Sequence, residues 1–276
     1  MDDKQNNHKA NLVDVNSLLR QNEYGLNATS EEYIYYVLKK AQKRQELKLK
    51  DIFVFDLDST LFNVSPRIQQ IMHDFAELKE IIEKFPHATK RLKNLKVHPT
   101  DWGIRNIMGR INLPDLPHNF YVMAQDFWKE HFFANHYLHH DIPYEGAVSF
   151  LNKLQQYGHE IYYLTGRDQH RMGSGTVKSL LQHNFPLAED YSNLALKPNK
   201  DILDTNFKRD WFLNLIKNKL ENNKIEVLFF ENEPVNLHEI KTHLPQIKLI
   251  FFDSTHSGKM NSPNDLQVIK SYKVQL

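Results

Sequence analysis

The sequence predicts an α/β fold with a central parallel sheet flanked by helices, and with an all-helical segment inserted after the first strand. Short apolar runs rich in β-branched and aromatic residues recur along the chain, as is typical of buried strands. Stretches with apolar residues at helical spacing separate these runs, and such alternation indicates parallel pairing with right-handed crossovers. One long stretch after the first run shows helical spacing only.

The composition is that of a folded globular protein. Its 276 residues suffice for one large domain or one domain with an insertion, and an apolar content of 41% supports a substantial core. With 35 basic and 34 acidic residues, the net charge of +1 provides no global attraction to nucleic acid or to a membrane. The absence of cysteine excludes disulfides, thiolate metal sites and cysteine nucleophiles.

The sequence carries no signature of export or membrane insertion. Residues 1–10 are polar and charged and lack the apolar centre of a signal peptide. No later apolar run reaches the length of a membrane span. We therefore expect a cytoplasmic protein, with secretion through a different signal left open.

Residues 1–50 are expected to form a polar, partly helical N-terminal extension. Apolar residues recur at helical spacing in two groups within it. The groups are Leu12, Val15, Leu18 and Leu19, and then Tyr33, Tyr36, Val37 and Ala41. Packing against the main domain is favoured over partner binding, because amphipathic helices most often cover the core of their own protein.

The first strand, predicted at residues 51–55, leads into Asp56 and Asp58, with the hydroxyl of Thr60 two residues further on. Ligands of open α/β sheets bind outside the carboxyl ends of the strands. A single aspartate in this place often only forms a turn or caps a helix. Two carboxylates this close repel each other, which favours either a divalent cation or separate nucleophile and acid–base roles.

Residues 63–141 are predicted to form an all-helical insertion that divides the core into residues 51–62 and 142–276. Apolar residues repeat at helical spacing over residues 65–85 and again over about 119–139. Prolines mark the looser stretch between these two regions. No strand pattern is found from residue 63 to about residue 142.

The second strand of the core, predicted at residues 160–168, carries Thr165, Gly166 and Arg167 near its end. A hydroxyl, a glycine that lets the backbone approach and a guanidinium are groups that bind phosphate. An ordinary turn is the alternative. For Arg167, contact with the substrate is favoured over pairing with Asp168.

Three further strands are predicted at residues 194–196, 225–230 and 247–252, again separated by helices. Polar residues follow two of these strands or lie at a helix start that faces them. These residues are Lys197, Lys208, Glu231, Asn232 and Glu233. Because the carboxyl ends of parallel strands share one edge of the sheet, we expect most of these side chains to meet the two aspartates.

Four separated motifs within residues 51–255 resemble, in the expected order, those of the haloacid dehalogenase (HAD) superfamily of phosphatases and phosphotransferases. They are Asp56-Leu57-Asp58-Ser59-Thr60, which is similar to DxDxT, Leu164-Thr165-Gly166-Arg167, the lone Lys208, and Phe229-Phe230-Glu231-Asn232-Glu233. The resemblance implies a Rossmann-like HAD core with a helical cap at the insertion. Family members more often carry adjacent aspartates where Asn232 lies between two glutamates here.

The resemblance also implies a HAD-like phosphoric monoester hydrolase that acts through an aspartyl-phosphate intermediate. Asp56 would be the nucleophile, and Asp58 would protonate the leaving oxygen and then activate water. The other implied catalytic residues are Thr165 and Lys208, and the implied substrate-binding residues are Thr60, Gly166 and Arg167. Mg²⁺ is the implied cofactor, held by Asp56, by Asp58 through its carbonyl, and by Glu231.

Several alternatives stay open at this point. Lys197 competes with Lys208 for the role of the motif lysine, and Glu233 competes with Glu231 for the metal. A small phosphorylated substrate is the implied partner, and the near-neutral charge argues against nucleic acid. The oligomeric state is not readable. Two other functions remain, namely a catalytically weak domain that binds a phosphorylated ligand or protein, and a phosphatase of nucleotides or nucleic-acid ends.

Overall fold

The computed structural model describes residues 28–111, 117–219 and 225–274. Its strands are β1 (Ile52–Phe55), β2 (Phe62–Asn63), β3 (Ile142–Pro143), β4 (Glu160–Asp168), β5 (Leu194–Lys197), β6 (Val227–Glu231), β7 (Lys248–Phe252) and β8 (Gln267–Ile269). Its α-helices are α1 (Ser30–Glu46), α2 (Ser65–Glu77), α3 (Lys79–Lys84), α4 (Pro86–Lys93), α5 (Gly103–Ile111), α6 (His118–Phe132), α7 (Ala147–Gln156), α8 (Gln169–Gln182), α9 (Asp204–Lys219) and α10 (Pro234–His243). A 3-10 helix, Asn135–His140, precedes β3.

Six strands form one sheet in the order β5-β4-β1-β6-β7-β8, and each neighbouring pair is parallel. In the centre, Phe55 of β1 pairs with Tyr163 of β4 on one side and with Phe230 of β6 on the other. The strand order therefore reverses beside β1, which is where open α/β sheets form their ligand crevice. The predicted parallel core is confirmed, and its crevice lies at the carboxyl end of β1.

Both faces of the sheet are buried, as the continuous apolar runs in its strands indicate. Because side chains alternate along a strand, β1 contributes to two separate clusters. Phe53 and Phe55 lie in a cluster that includes residues of α1 and α7. Ile52 and Val54 lie in a second cluster with Phe212 of α9 and residues of α10. This burial fixes the position at which the chain leaves β1 and reaches Asp56.

Helices α2 to α6 and the 3-10 helix lie within residues 65–140, and the described part of this range is called here the helical segment. A hydrophobic cluster separate from the two on the sheet holds its α-helices together. Its buried members include Ile68, Met72 and Phe75 of α2, Ile107 of α5 and Phe120 of α6. The segment joins the core through a two-stranded antiparallel ribbon in which β2 pairs with β3.

Three details of the helical segment and its borders differ from the sequence-based expectations. The ribbon of β2 and β3 was not expected, because two residues per strand are too few to show a pattern. Helix α5 lies within the proline-marked stretch, and the helix expected over about 119–139 ends at Phe132 and resumes as the 3-10 helix. Among the described helices, none is sufficiently long and apolar to cross a membrane.

Helix α1 packs on the core through Tyr33, Ile34, Val37 and Ala41, which share the cluster of Phe53 and Phe55. This packing agrees with the second helical group predicted near the N-terminus. The first predicted group, Leu12 to Leu19, lies outside the described residues. A ring nitrogen of His159 also contacts the carbonyl of Ala41 at 2.9 Å, so a buried polar contact connects α1 to the chain just before β4.

Candidate active site

Three charged side chains meet at the carboxyl end of the central strands. Lys208 of α9 donates from Nζ to Asp56 Oδ1 and to Glu231 Oε2, each at 2.6 Å. The backbone N–H of Asp56 still donates to Phe230 at 3.0 Å, so the sheet itself fixes the position of Asp56. All three side chains are almost fully buried. We call Asp56, Lys208 and Glu231 the lysine cluster.

Lys208 pairs with two carboxylates in this cluster, and this sharing affects the pKa values of Asp56 and Lys208. Burial raises the pKa of Asp56 to about 8, because Lys208 only partly offsets the desolvation and Glu231 adds repulsion. Burial alone would lower the pKa of Lys208, but Asp56 and Glu231 outweigh it and raise that pKa. Lys208 therefore stays positively charged, and its single charge is shared between the carboxylates of Asp56 and Glu231.

Glu231 is held by more donors than Lys208 alone. Its Oε1 accepts from the backbone N–H groups of Asn232 and Glu233, both at 2.9 Å, and its Oε2 also accepts from Asn236 Nδ2 at 3.1 Å. The side chain of Glu233 instead accepts from the backbone and hydroxyl of Ser257. Of the two competing glutamates, Glu231 is thus the one that contacts the lysine cluster.

The turn after β1 sets the direction of Asp58. Ser59 adopts the left-handed conformation with φ 64°, a region that non-glycine residues enter only where the surroundings enforce it. The backbone N–H groups of Thr60, Leu61 and Phe62 all donate to the carbonyl of Leu57, which closes the turn tightly. This turn brings the chain from the sheet edge directly to β2 and the helical segment.

Asp58 belongs to a second cluster with two arginines. Its Oδ1 accepts from Arg67 Nη2 at 2.6 Å and from Arg167 Nη2 at 2.5 Å. Asp141 completes the set, since Arg167 Nη2 also donates to its Oδ2 at 2.7 Å. We call these four residues the arginine cluster. Burial opposes ionisation of Asp58, but Arg167 and Arg67 outweigh it and hold the pKa of that carboxyl below its usual range.

Arg167 and Thr60, which the sequence suggests as substrate-binding residues, both pair with other side chains of the protein, and Arg167 also lines the cavity. The Arg167 guanidinium is committed to Asp58 and Asp141 rather than to Asp168, which pairs with Arg171. The hydroxyl of Thr60 is fully buried and donates to Asn232 Oδ1 at 2.9 Å, behind the cavity rather than in it. In both cases the side chain supports other polar residues, which the motif alone does not reveal.

Thr165 and Gly166 line the cavity together with Asp56. A Cβ atom on Gly166 would lie 2.3 Å from Asp204 Oδ2, so only glycine allows the present approach of that carboxylate. Lys197 donates to Asp204 Oδ1 at 2.6 Å and not to Asp56. Of the two competing lysines, the structure therefore brings only Lys208 into contact with Asp56.

These groups surround a cavity of about 220 Å³. Its lining from the core includes Asp56, Asp58, Thr165, Gly166, Arg167, Lys208, Glu231 and Glu233. The helical segment supplies an apolar wall opposite these polar groups. Its lining residues include Trp102, Trp128, Phe132 and Phe133. The arrangement combines a polar floor on the sheet with an apolar wall, so it suits a ligand with one charged and one less polar part.

The donor set at the cavity fits a hard cation such as Mg²⁺. The carboxylates of Asp56, Asp58 and Glu231 line the cavity, and Mg²⁺ in proteins usually takes one or two carboxylates and completes its shell with water or phosphate oxygens. Within the described ranges, no three His, Asp or Glu side chains converge as a metal site. Asp56 lines the cavity at the carboxyl end of β1, where its carboxylate is placed to act as a ligand.

Sequence reasoning missed several residues that the structure places around the site. Arg67 donates to Asp58, Asp141 accepts from Arg167, Asn236 donates to Glu231, and Asp204 lines the cavity beside Gly166. A signal existed only for Arg67, which lies within the apolar stripe of α2 and needs a partner if that stripe is buried. The other three residues show no pattern of their own.

Comparisons with known proteins agree with this architecture. A model of the family described as haloacid dehalogenase-like hydrolase matches residues 50–209. A solved structure titled "Putative Phosphatase" from Clostridium difficile covers 82% of this chain and 94% of its own, with 16% identity and a TM-score of 0.50. At that identity the likeness shows the fold alone.

Two curated relatives are similar in sequence. A "Putative nucleotidase" of Bacillus cereus is 38% identical over 60 residues, which is 22% of this chain and 31% of the relative. A "Putative nucleotidase" of Oceanobacillus iheyensis is 27% identical over 149 residues, which is 54% of this chain and 67% of the relative. The chain thus spans about a third of the first relative's length. Because the family model matches more than half of the chain, this protein belongs to the haloacid dehalogenase-like hydrolases.

Proposed function

We propose that the protein is a Mg²⁺-dependent phosphatase that hydrolyses a phosphate monoester through an aspartyl-phosphate. The observation that carries the proposal is the Asp56 carboxylate at the switch point of the sheet, paired with Lys208 at 2.6 Å and facing a cavity. An oxygen nucleophile at the sheet edge, next to a fixed cation, is the arrangement that phosphoryl transfer requires.

The residues divide the reaction between them. Asp56 attacks phosphorus and takes the phosphoryl group, and Asp58, once protonated, gives its proton to the leaving oxygen. Because Arg167 and Arg67 lower the pKa of Asp58, this step requires that the negative charge of the bound phosphate favours the protonated carboxyl. In the second half, Asp58 takes a proton from water as that water attacks phosphorus and releases Asp56 with inorganic phosphate. Lys208 offsets the charge that Asp56 and the phosphoryl group share, and Thr165 donates a hydrogen bond to a phosphoryl oxygen.

Mg²⁺, when bound, supplies positive charge that lets a carboxylate approach an anionic phosphoryl group. Asp56 would hold it together with the main-chain carbonyl of Asp58. Glu231 accepts from four donors already, so it would assist through Lys208 and Asn236 or through water. The cytoplasmic location and the small phosphorylated substrate expected from the sequence belong to the same proposal.

The helical segment is proposed to act as a cap over the cavity, with residues 51–62 and 142–276 as the core and residues 1–50 as an extension. Support comes from its separate hydrophobic cluster and from the ribbon of β2 and β3 through which it joins the core. Trp102 and Trp128 of this segment line the cavity. Such a cap would exclude water and contribute to the choice of substrate.

The proposal is tested by phosphate release from p-nitrophenyl phosphate with Mg²⁺. We expect Asp56→Asn to reduce the rate at least about 10³-fold, because the amide cannot act as the nucleophile. Asp210→Asn is the matched control, since Asp210 is exposed and, among the residues that the structure describes, pairs only with Arg209 of α9. Full activity in Asp56→Asn would exclude the mechanism. A wild-type protein that binds phosphate esters without turnover would favour the catalytically weak binding domain.

A second candidate, hydrolysis of nucleotides, is favoured by an open pocket of about 550 Å³ that shares Trp102, Trp128 and Thr255 with the cavity. Its remaining lining includes Arg105, Asn106, Tyr121, Gln125 and His256, and no carboxylate. Trp128 Nε1 is buried without a hydrogen-bond partner among the described residues. Aromatic rings with amide and guanidinium donors suit a nucleobase, and the two curated relatives carry the name nucleotidase.

The nucleotide candidate predicts a selective effect of Trp102, whose side chain is 47% exposed at the shared border of the two spaces. We expect Trp102→Ala to raise KM for nucleoside monophosphates about tenfold by removing a stacking surface. The KM for small alkyl esters that lack a base, such as glycerol phosphate, should change little. Trp211→Ala is the control, because Trp211 packs against Tyr162 away from the cavity. Equal changes for both substrates would exclude nucleobase stacking.

A further inference from the structure

The hydrogen bonds of Asp58 are unevenly shared between its two oxygens. Three N–H groups donate to Oδ1, which are Nη2 of Arg67 at 2.6 Å and Nη2 and Nε of Arg167 at 2.5 and 3.2 Å. Among the described residues, no group donates to Oδ2. The side chain is 27% exposed and lines the cavity. One oxygen is thus fixed, and the other is available to the cavity.

The two arginines are themselves buried and paired with carboxylates. Their side chains and that of Asp141 are fully buried, and Asp141 lies 2.9 Å from Arg67 Nε and 2.7 Å from Arg167 Nη2. Two guanidinium groups and two carboxylates make the cluster neutral, which is the condition for burying two like charges side by side. A planar guanidinium held at several nitrogens has little rotational freedom left.

The partners of each arginine come from different parts of the molecule. Arg67 belongs to α2, donates to the carbonyl of Phe132 at 3.1 Å and lies over the Phe132 ring at 4.1 Å, so these two contacts stay within the helical segment. Arg167 belongs to β4 and donates to Thr176 of α8 at 3.3 Å, on the core side. Asp58 is therefore held jointly by the helical segment and by the core.

We propose that Arg67, Arg167 and Asp141 are positioning residues that hold Asp58 with one oxygen in the cavity, and that Arg67 makes this orientation depend on the placement of the helical segment. The inference rests on the proposed phosphatase function. A shift of α2 away from the core would remove Arg67 from Asp58 Oδ1. Asp58 would then be correctly oriented for proton transfer only while the helical segment lies over the core.

The consequence is a dependence on the leaving group. An alkoxide leaves only with a proton, whereas p-nitrophenolate is stable without one, so a misplaced Asp58 harms the hydrolysis of alkyl esters selectively. We expect Arg67→Met to lower kcat for glycerol phosphate about 10² times more than kcat for p-nitrophenyl phosphate. Arg67→Lys, which restores charge but reaches only one carboxylate, should give an intermediate loss.

Arg171→Met is the matched control. Like Arg67, Arg171 pairs with an aspartate, Asp168, and lies over a phenylalanine ring of the helical segment, that of Phe133 at 5.0 Å. It makes no contact with Asp58 among the described residues. We expect this variant to leave the ratio of the two kcat values unchanged, so a general loss of packing between segment and core is separated from loss of orientation.

A double-mutant cycle tests whether Arg67 acts through Asp58. In an Asp58→Asn background, Arg67→Met should lower kcat for glycerol phosphate by less than about twofold, because the group it orients is gone. Independent losses in that background, or equal losses for both esters in the single variant, would overturn the inference. Failure of the proposed function is distinguishable, since it shows as activity retained in Asp56→Asn.

A second variant covers the case in which Arg67→Met does not fold. Asp141→Asn keeps both arginines on Asp58 but removes the carboxylate that aligns them. We expect it to produce the same selective loss for the alkyl ester, about tenfold in the ratio of kcat values. A folded Asp141→Asn protein with an unchanged ratio contradicts the positioning role.

Discussion

The lysine cluster and the arginine cluster hold two aspartates that are only two residues apart, yet the surroundings act on them in opposite directions. In the lysine cluster one cation serves Asp56 and Glu231, and burial raises the pKa of Asp56 to about 8. In the arginine cluster two cations serve Asp58 and Asp141, and the pKa of Asp58 falls below its usual range despite burial. Asp56 is the more buried of the two and shares one lysine with Glu231, whereas Asp58 is 27% exposed and accepts hydrogen bonds from two arginines. Burial and the number of neighbouring cations together distinguish the two positions.

The largest effect is expected from breaking the lysine cluster. Lys208→Met leaves two buried carboxylates without a cation, so we expect the free energy of unfolding to fall by about 3–5 kcal/mol. Phosphate release should fall about 10²–10³-fold, because the charge shared with the phosphoryl group is no longer offset. Urea denaturation and the p-nitrophenyl phosphate assay measure the two effects.

Lys197→Met is the control for Lys208, since Lys197 pairs with the half-exposed Asp204. Its loss should cost about 1 kcal/mol or less and reduce the rate only slightly. If Lys197→Met abolished phosphate release and Lys208→Met did not, Lys197 would be the motif lysine and the role given to the lysine cluster would be wrong.

A direct comparison of the two aspartates should give the next largest effect. Asp58→Asn leaves two buried guanidinium groups with one carboxylate, so we expect the free energy of unfolding to fall by about 3 kcal/mol. Asp56→Asn removes a carboxylate from a cluster that has too many, so stability should stay within about 1 kcal/mol or rise. Urea denaturation of both variants at pH 7 is the measurement. Equal destabilisation of the two variants would mean that the number of cations per carboxylate does not determine the stability of the two clusters.

The smallest effect concerns Asp101 and Arg110, a pair with one cation per carboxylate within the helical segment. Burial raises the pKa of Asp101, but hydrogen bonds from Arg110 and from the backbone of His98 outweigh it and lower the pKa. A carboxyl whose pKa is lower in the folded protein contributes stability above its ordinary pKa of about 3.9 and loses it as pH falls through the lowered value. The contribution should therefore be present at neutral pH.

Asp101→Asn tests this sign. Because the Arg110 side chain is 34% exposed, we expect the wild type to exceed the variant by only about 1 kcal/mol at pH 7. The difference should shrink as pH falls below the ordinary aspartate range. Thermal denaturation of both proteins across that pH range provides the comparison, and a difference that grows in acid would contradict the sign.

The lysine cluster could be predicted from the sequence because its members depend on a rule of the fold. Asp56 and Glu231 end parallel strands that pair directly, so their side chains share one edge of the sheet, and Lys208 begins a helix at the same edge. The continuous apolar runs of β1 and β6 made those strands visible. Hence the strands and their shared edge follow from local pattern, whereas the choice of Lys208 over Lys197 and of Glu231 over Glu233 comes from the contacts in the structure.

The arginine cluster could not be predicted because it depends on how the helical segment sits on the core. Arg67 and Asp141 are distant in sequence and meet only when α2 packs beside the end of the segment. Helix α5 was missed for a different reason: Ile104, Ile107 and Ile111 have helical spacing, but flanking prolines suggested a loop. Within α8, a Cβ atom on Gly175 would lie 2.7 Å from the carbonyl oxygen of Asn135, so this close approach requires glycine. The sequence alone does not reveal that contact.

The packing of α1 has a practical consequence for any shortened form of this enzyme. The family match begins at residue 50, yet Ile34 and Val37 seal the hydrophobic layer beneath β1, and Lys40 pairs with Glu226 beside β6. A chain shortened to residue 50, where the family match begins, would expose the apolar side chains of this layer and of β1 to water. The smallest soluble catalytic fragment should therefore start before Thr29, at the capped end of this helix.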